Sequence, residues 1–226
     1  MPGTLYIVAT PIGNLQDITL RALDCFKKAD LIVCEDTRVT SKLLTHYEIS
    51  KPLRSIHEHS APGQVAQVIE DLKQGKTIAY VSDAGTPGVN DPGGKLVAAA
   101  SDAHIKIEPI PGASAVTAII SVCGFPMDEF SYLGFIPHKK GRKTLFEEIA
   151  ERKTSSIFLE STHRINKTLD SLAETLQPTR LICVGRELTK IYETIYRGTA
   201  ADVKREIEAS STKGEFTIIV GPKPKG

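Results

Sequence analysis

Short apolar runs alternate along this chain with longer segments in which apolar residues recur every three or four positions. The runs have the length of buried strands, and the longer segments have the period of amphipathic helices. The alternation favours an α/β fold with mixed sheets. The predicted strands are Leu5–Ala9, Leu31–Cys34, Thr77–Val81, Ile105–Ile110, Ser156–Leu159, Leu181–Val184 and Phe216–Val220. The predicted helices are Ile18–Lys28, Gln64–Lys73, Ser114–Val122, Thr144–Arg152, Ile165–Leu176 and Ala201–Ala209.

A length of 226 residues allows two modest domains. The segment from Gly124 to Asp128 follows a helix rich in small residues, and its glycine and proline favour a helix end and a turn. We therefore predict an N-terminal α/β domain at residues 1–124 and a C-terminal α/β domain at residues 125–226. The cleft between two such domains is a common place for a ligand.

Charge and cysteine content limit the classes of function. The 28 basic and 27 acidic residues nearly cancel, which argues against an overall positive coat for nucleic acid but leaves room for a local basic patch. The four cysteines lack metal-ligand spacing, which predicts buried thiols and no metal site. No apolar run is long enough to span a bilayer and the start does not read as a signal peptide, so we expect a cytoplasmic protein.

Three glycine- and proline-rich segments follow predicted strands: Ala9–Leu15, Val81–Gly94 and Pro111–Ala115. Strand-to-loop junctions of this kind lie at the carboxyl end of a sheet, where α/β proteins bind ligands. None of the three matches the phosphate-binding pattern GxxxxGKS/T or the dinucleotide pattern GxGxxG. Each also has a structural interpretation, as a turn, as a long surface loop before a helix, or as a helix capped by Ser114.

Carboxylates and an arginine come directly after the second predicted strand, at Glu35, Asp36 and Arg38. This group has the composition of an acid/base and positioning set. Asp36 has an equally good structural interpretation, as the N-cap of the helix that contains Thr40–His46.

A basic cluster lies between the predicted domain boundary and the next helix, at Lys139, Lys140, Arg142 and Lys143. Cations at a helix N-terminus oppose the helix dipole, so a structural role explains them poorly. Phosphate contacts explain them better, although a solvated helix start remains the alternative.

Taken together, the segments resemble the tetrapyrrole-methylase superfamily across nearly the whole chain. The resemblance rests on the order of YIVATPIGNLQDITLRAL, EDTR, SDAGTPGVNDPG, PGASA and GRELTKIYET. Most members have a GDP-like triplet in the third block, where this chain has Gly85-Thr86-Pro87, as is typical of the branch that methylates ribosomal RNA. The resemblance implies two α/β domains of the class III methyltransferase type, with S-adenosylmethionine as methyl donor in the inter-domain cleft.

For the site, the resemblance implies donor contacts from both domains. These are Pro11, Ile12, Asp83, Gly85, Thr86, Val89, Ser114, Ala115, Leu159, Arg186, Glu187, Phe216 and Thr217. Glu35 and Asp36 are the candidates for general base, with Glu187 as an alternative, and Arg38 is the candidate for orienting an anionic group. A ribose hydroxyl is a weak nucleophile and benefits from such a base.

The implied reaction is methylation of a cytidine 2′-oxygen in the decoding region of 16S ribosomal RNA within the small ribosomal subunit, with no membrane partner and by a homodimer. The rival hypotheses are a methylase of a small tetrapyrrole-like molecule and a non-catalytic RNA-binding factor that keeps the fold. The chain ends at Gly226, whereas many members of this branch continue into a short helical extension.

Overall fold

The computed structural model describes residues 2–57, 62–91 and 93–224. It divides into two compact units, residues 1–114 and 115–226. No helix in the described ranges is long and apolar enough to cross a membrane. All four cysteines are buried and unpaired, as predicted. Among the described residues, no group of three or more acidic, histidine or cysteine side chains has the arrangement of a metal site.

The first unit is built on a parallel sheet of five strands in the order β3-β2-β4-β1-β5. The strands are β1 Thr4–Val8, β2 Leu31–Cys34, β3 Leu53–Ser55, β4 Ile78–Val81 and β5 Lys106–Ile110. The helices are α1 Leu20–Lys28, α2 Thr37–His46, α3 Pro62–Lys73 and α4 Gly93–Asp102. Strands β2 and β4 are buried at every residue, because helices cover both faces of the sheet.

Side-chain caps fix where the helices beside the carboxyl edge of this sheet begin. The Thr19 hydroxyl accepts a hydrogen bond from the Ala22 amide, and the Asp36 carboxylate accepts one of 2.8 Å from the Arg38 amide. Such caps satisfy amide groups that the helix itself leaves without a partner. The capping role predicted for Asp36 is confirmed.

The second unit is built on a mixed sheet in the order β6-β7-β10-β8-β9, in which only β6 and β7 run parallel. The strands are β6 Phe130–Phe135, β7 Ser155–Ser161, β8 Leu181–Arg186, β9 Thr194–Thr199 and β10 Glu215–Val220. The helices are α5 Ala115–Cys123, α6 Arg142–Glu151, α7 Ile165–Thr175 and α8 Ala200–Ser210.

Helix α5 belongs to this second unit, so the compact units divide before it rather than after Gly124. It packs against β8 and β10. A Cβ atom on Gly185 of β8 would lie 2.8 Å from the Ile119 side chain, so glycine is needed for this close approach. On the opposite face of the sheet, helices α6, α7 and α8 enclose the main apolar core.

Candidate functional site

Three loops are joined at the carboxyl edge of the parallel sheet in the first unit. Thr10 and Gly85 form an isolated β-bridge, with hydrogen bonds of 3.0 Å in both directions between their backbones. The Thr10 hydroxyl donates to the Ser82 carbonyl, and the Thr86 hydroxyl donates to the Ala113 carbonyl at 3.1 Å. The loops after β1, β4 and β5 therefore form one connected surface, as their positions after parallel strands predict.

Glycine is required at two points of this surface. Gly85 has a φ of +81°, and a Cβ atom there would lie 3.2 Å from Cγ2 of Ile12. A Cβ on Gly112 would lie 3.1 Å from the Cβ of Ala9. The glycines thus leave a shallow cradle beside Ile12 in which a ligand can approach the backbone closely.

The cradle contains most of the donor contacts expected from the first unit. Pro11, Ile12 and Thr86 are half-buried, and Ser114 is half-buried at the end of the third loop. Val89 is 40% exposed, further along the second loop.

Asp91, which was not among the predicted site residues, fixes the course of the second loop. Its carboxylate accepts hydrogen bonds from the amides of Gly88, Val89 and Gly93, at 2.7, 3.2 and 2.8 Å. An aspartate a few residues before a helix, among glycines and prolines, is the signal that could have identified it. Asp91 therefore supports the loop that carries Gly85 and Thr86.

Two carboxyl groups near the cradle have raised pKa values. Burial raises the pKa of Glu35, and the charges of Asp83 and Asp91 raise it further. Burial also raises the pKa of Asp83, although a 2.9 Å hydrogen bond from the Asp36 amide partly offsets the effect. Carboxyl groups with this kind of environment are common among catalytic acids and bases.

Asp36 and Arg38 are engaged with one another. The Arg38 guanidinium contacts both carboxylate oxygens of Asp36, with Nε at 3.0 and 3.1 Å. These bonds lower the pKa of Asp36 to about 2. Such an acidic carboxylate is a poor proton acceptor near neutral pH, so of the two predicted candidates from this segment only Glu35 has the properties of a general base.

In the second unit, the expected donor contacts from the sheet lie on two different faces. Leu159 and Thr217 are direct partners on β7 and β10, so their side chains share one face. Phe216 points to the opposite face, where its side chain is part of the main core. Phe216 can therefore offer a ligand only its backbone. Ala115 is the first residue of α5, which packs on β10.

Arg186 and Glu187 lie where β8 leads into a tight loop, and the side chains of both form hydrogen bonds with neighbouring residues of the second unit. The Arg186 Nε donates to the Lys213 carbonyl at 2.7 Å. The Glu187 carboxylate accepts from the Lys190 ammonium at 3.0 Å and from the Glu215 amide at 2.9 Å. These bonds make Glu187 less suitable than Glu35 as a general base.

The basic cluster is divided between surface and core. Lys139, Lys140 and Lys143 are exposed. Arg142 is buried, contrary to its expected role as a phosphate contact: its guanidinium donates to the Thr168 hydroxyl at 2.7 Å and to the Pro137 carbonyl at 3.3 Å. It also lies 3.7 Å from the buried Glu160 carboxylate. Arg142 therefore anchors the loop that presents the lysines.

The fold has counterparts among solved methyltransferases. Uroporphyrin-III C-methyltransferase from Thermus thermophilus matches 97% of this chain and 94% of its own, with a TM-score of 0.67 and 18% identity. The cobalt precorrin-4 methyltransferase CbiF matches 96% of this chain and 94% of its own, with a TM-score of 0.71 and 17% identity. The family model described as Tetrapyrrole (Corrin/Porphyrin) Methylases matches residues 4–204.

Closer relatives carry one common name, ribosomal RNA small subunit methyltransferase I. The protein of that name from Haemophilus influenzae is 46% identical over 100% of this chain and 81% of its own length. The one from Halalkalibacterium halodurans is 46% identical over 96% and 75%. The chain belongs to the tetrapyrrole methylase family and, within it, to the group of ribosomal RNA small subunit methyltransferase I. Methyltransferases of this family use S-adenosylmethionine as methyl donor.

Proposed function

We propose that this protein transfers a methyl group from S-adenosylmethionine to the ribose 2′-oxygen of a cytidine in the decoding region of 16S ribosomal RNA. The observation that carries the proposal is that the charges of Asp83 and Asp91, which flank Gly85 and Thr86 in the second loop of the cradle, act on the Glu35 carboxyl group and raise its pKa further than burial alone. The relatives that share this chain's sequence at 42–46% identity are named for methylation of small-subunit ribosomal RNA.

The cradle suits a donor that contacts the protein backbone over an extended polar surface. A Cβ at Gly85 would fill the space beside Ile12, so the absence of a side chain is needed for a ligand to reach the backbone there. Pro11, Ile12, Gly85, Thr86 and Ser114 are the first-unit residues that would hold the donor. From the resemblance, we also propose Ala115, Leu159 and Thr217 as donor contacts, together with the backbone of Phe216 and of Arg186.

Glu35 would provide the general base. When bound, the donor supplies an electrophilic methyl group on a sulfonium sulfur. The Glu35 carboxylate accepts the proton of the ribose 2′-hydroxyl as the new carbon–oxygen bond forms and the carbon–sulfur bond breaks. Burial raises the pKa of Glu35 toward neutral pH, and a general base is most effective when its pKa lies near the working pH.

The exposed lysines would hold the RNA backbone. Lys139, Lys140 and Lys143 lie together just before and within the first turn of α6. The Lys143 ammonium lies 3.9 Å from the Glu147 carboxylate, which partly neutralises it. Lys139 and Lys140 therefore provide most of the positive charge that is available to RNA. Cation–phosphate contacts of this kind position RNA without reading its sequence. We also propose a homodimer, on the resemblance alone, and a cytoplasmic location, on the sequence features given above.

The test is transfer of radiolabelled methyl to purified small ribosomal subunits, to deproteinised 16S RNA and to a tetrapyrrole in parallel. Label in the RNA of the subunits supports the proposal. Label in the tetrapyrrole alone would assign the chain to small-molecule methylation. Donor binding with no transfer to any acceptor, under conditions where a relative of the same name is active, would contradict catalysis.

A further inference from the structure

The most exposed apolar side chains of the second unit lie side by side in the loop between β8 and β9. Ile191 is 90% exposed and Tyr192 is 68% exposed. Phe130 and Phe135 are exposed on β6, at the opposite edge of the sheet, and Leu181 is exposed at the other end of β8. The pair Ile191–Tyr192, called the tip below, is therefore isolated from those other exposed apolar residues.

Side-chain bonds cross-link the loop that carries the tip. Glu187 and Thr189 have φ values of 51° and 65°, which non-glycine residues rarely adopt. The Thr189 amide donates to the Glu193 carboxylate at 2.6 Å, and the Lys190 ammonium contacts the carboxylates of Glu187 and Glu215, both at 3.0 Å. Strained backbone that is fixed by its surroundings is often found at ligand-binding loops.

A depression of about 480 Å³ lies directly beside Tyr192. It is lined by Arg186, Glu187, Tyr192, Ser210, Ser211, Lys213 and Gly214. Lys190 pairs with Glu187, and among the described residues no carboxylate forms an ion pair with Lys213. The depression thus combines an aromatic ring, a free cation and serine hydroxyl groups.

We infer that the tip and this depression bind an unpaired nucleotide of the RNA substrate, with its base stacked on Tyr192 and a phosphate near Lys213. This inference rests on the proposed function and adds a second RNA contact to the lysines before α6. Aromatic rings next to cations are a common means of binding unstacked bases. A second copy of the chain is a poorer fit, because a stable subunit interface buries about 800 Å² on each side, whereas the tip is two residues wide.

The test compares Tyr192→Ala with Tyr192→Phe, which keeps the ring. Fluorescence anisotropy measures the Kd for a single-stranded RNA oligonucleotide and for the duplex of the same sequence. Because a base stacked on an aromatic ring adds to the affinity for a single strand, Tyr192→Ala is expected to raise the single-strand Kd about tenfold. Tyr192→Phe should bind as the wild type does, and the duplex Kd should change little in both variants.

An unchanged single-strand Kd in Tyr192→Ala, or a wild-type protein that does not bind single-stranded RNA, would overturn the inference. So would a change in sedimentation coefficient caused by Tyr192→Ala, because that would place the tip in a subunit interface. Titration of each variant with S-adenosylmethionine should show unaltered donor affinity. If the wild type methylates small subunits but Tyr192→Ala leaves the RNA Kd unchanged, only the inference about Tyr192 is refuted. If Tyr192→Ala raises the RNA Kd but the wild type methylates no RNA, only the proposed reaction is refuted.

Discussion

The Asp83 carboxylate accepts a 2.9 Å hydrogen bond from the backbone amide of Asp36. This bond joins the loop after β2 to the loop after β4, which are neighbouring strands of the parallel sheet. The Asp36 side chain is meanwhile held by Arg38. Glu35 lies in the same cluster, and no cation of the described residues forms an ion pair with it. The cluster therefore contains one neutralised carboxylate and two whose protonation is favoured by burial.

Replacing Glu35 with glutamine tests the general base. Because general-base catalysis contributes about 10²–10⁴-fold, Glu35→Gln should lower kcat by at least about 100-fold and leave donor affinity unchanged. Asp36→Asn is the matched control, since asparagine is an equally good helix cap and kcat should stay close to that of the wild type. Single-turnover kinetics and calorimetric donor titration give the two quantities. Equal losses of kcat and donor affinity in Glu35→Gln would indicate a structural role instead.

The pH dependence of the rate should report the raised pKa of Glu35. A general base works only when ionised, so the rate falls as pH drops through its pKa. Because burial and the charge of Asp83 raise that pKa, the acidic limb should lie above the ordinary glutamate value of about 4.3. A profile of kcat against pH measures it, and Asp83→Asn should move the limb to lower pH. A limb at the ordinary value, or one that Asp83→Asn leaves in place, contradicts this assignment.

Adding a methyl group at Gly85 should impair donor binding, whereas the same change at Gly88 should not. Both residues have positive φ values, so alanine at either one should cost about 1 kcal/mol in the free energy of unfolding. Only at Gly85 does the added Cβ lie against Ile12 and occupy space in the proposed cradle, so only there should the donor Kd rise, by about tenfold. Chemical denaturation and donor titration separate the two effects. Equal donor affinities in the two variants would remove Gly85 from the donor site.

The salt dependence of RNA binding should separate the exposed lysines from the buried arginine. A plot of log K against log salt falls by about 0.7–0.9 for each phosphate contact. The double variant Lys139→Gln with Lys140→Gln loses such contacts, so its plot should be clearly less steep. Arg142→Gln should leave the slope unchanged but cost about 2 kcal/mol of stability, because the buried hydrogen bonds to Thr168 and Pro137 are lost while Glu160 keeps its ion pair with Arg164. Filter binding at several salt concentrations measures the slope. A flatter slope in Arg142→Gln would show that its charge reaches the RNA.

Asp71 should give the first unit an acid-sensitive stability. Its buried carboxylate pairs with Arg54 at 2.7 Å and with Lys76 at 2.8 Å, and these partners lower its pKa. A lowered pKa contributes stability that is complete above the unfolded value of about 3.9 and is lost as pH falls through the folded value. Asp71→Asn should cost about 2 kcal/mol at neutral pH and reduce the acid dependence. Urea unfolding at several pH values measures both, and an unchanged pH dependence in the variant contradicts the account.

Much of the fold follows from the sequence because the central strands are continuous apolar runs. All seven predicted strands are present, and the strands that the apolar runs did not reveal are β3, β6 and β9. Each of these lies at the edge of its sheet and is only partly buried. A strand that is not covered on both faces needs no apolar run, so its formation depends on the neighbour with which it pairs.

The features of the site that depend on residues close together in sequence could be predicted. The cap formed by Asp36 and the joining of the three glycine-rich loops both follow from residue types placed after parallel strands. The burial of Arg142 could not be predicted, because it depends on Thr168 and Glu160, which are distant in sequence. The exposure of Tyr192 is likewise a tertiary property, since an apolar Ile-Tyr pair on its own predicts burial.

The most direct test of the central claim is the chemical position of the methyl group on the RNA. Small subunits labelled by this protein from radiolabelled S-adenosylmethionine are digested with alkali, which cleaves RNA only where the ribose 2′-hydroxyl is free. We predict that the label is recovered in an alkali-resistant dinucleotide that begins with cytidine. Label recovered in single nucleotides would place the methyl group on a base and would contradict the proposed reaction.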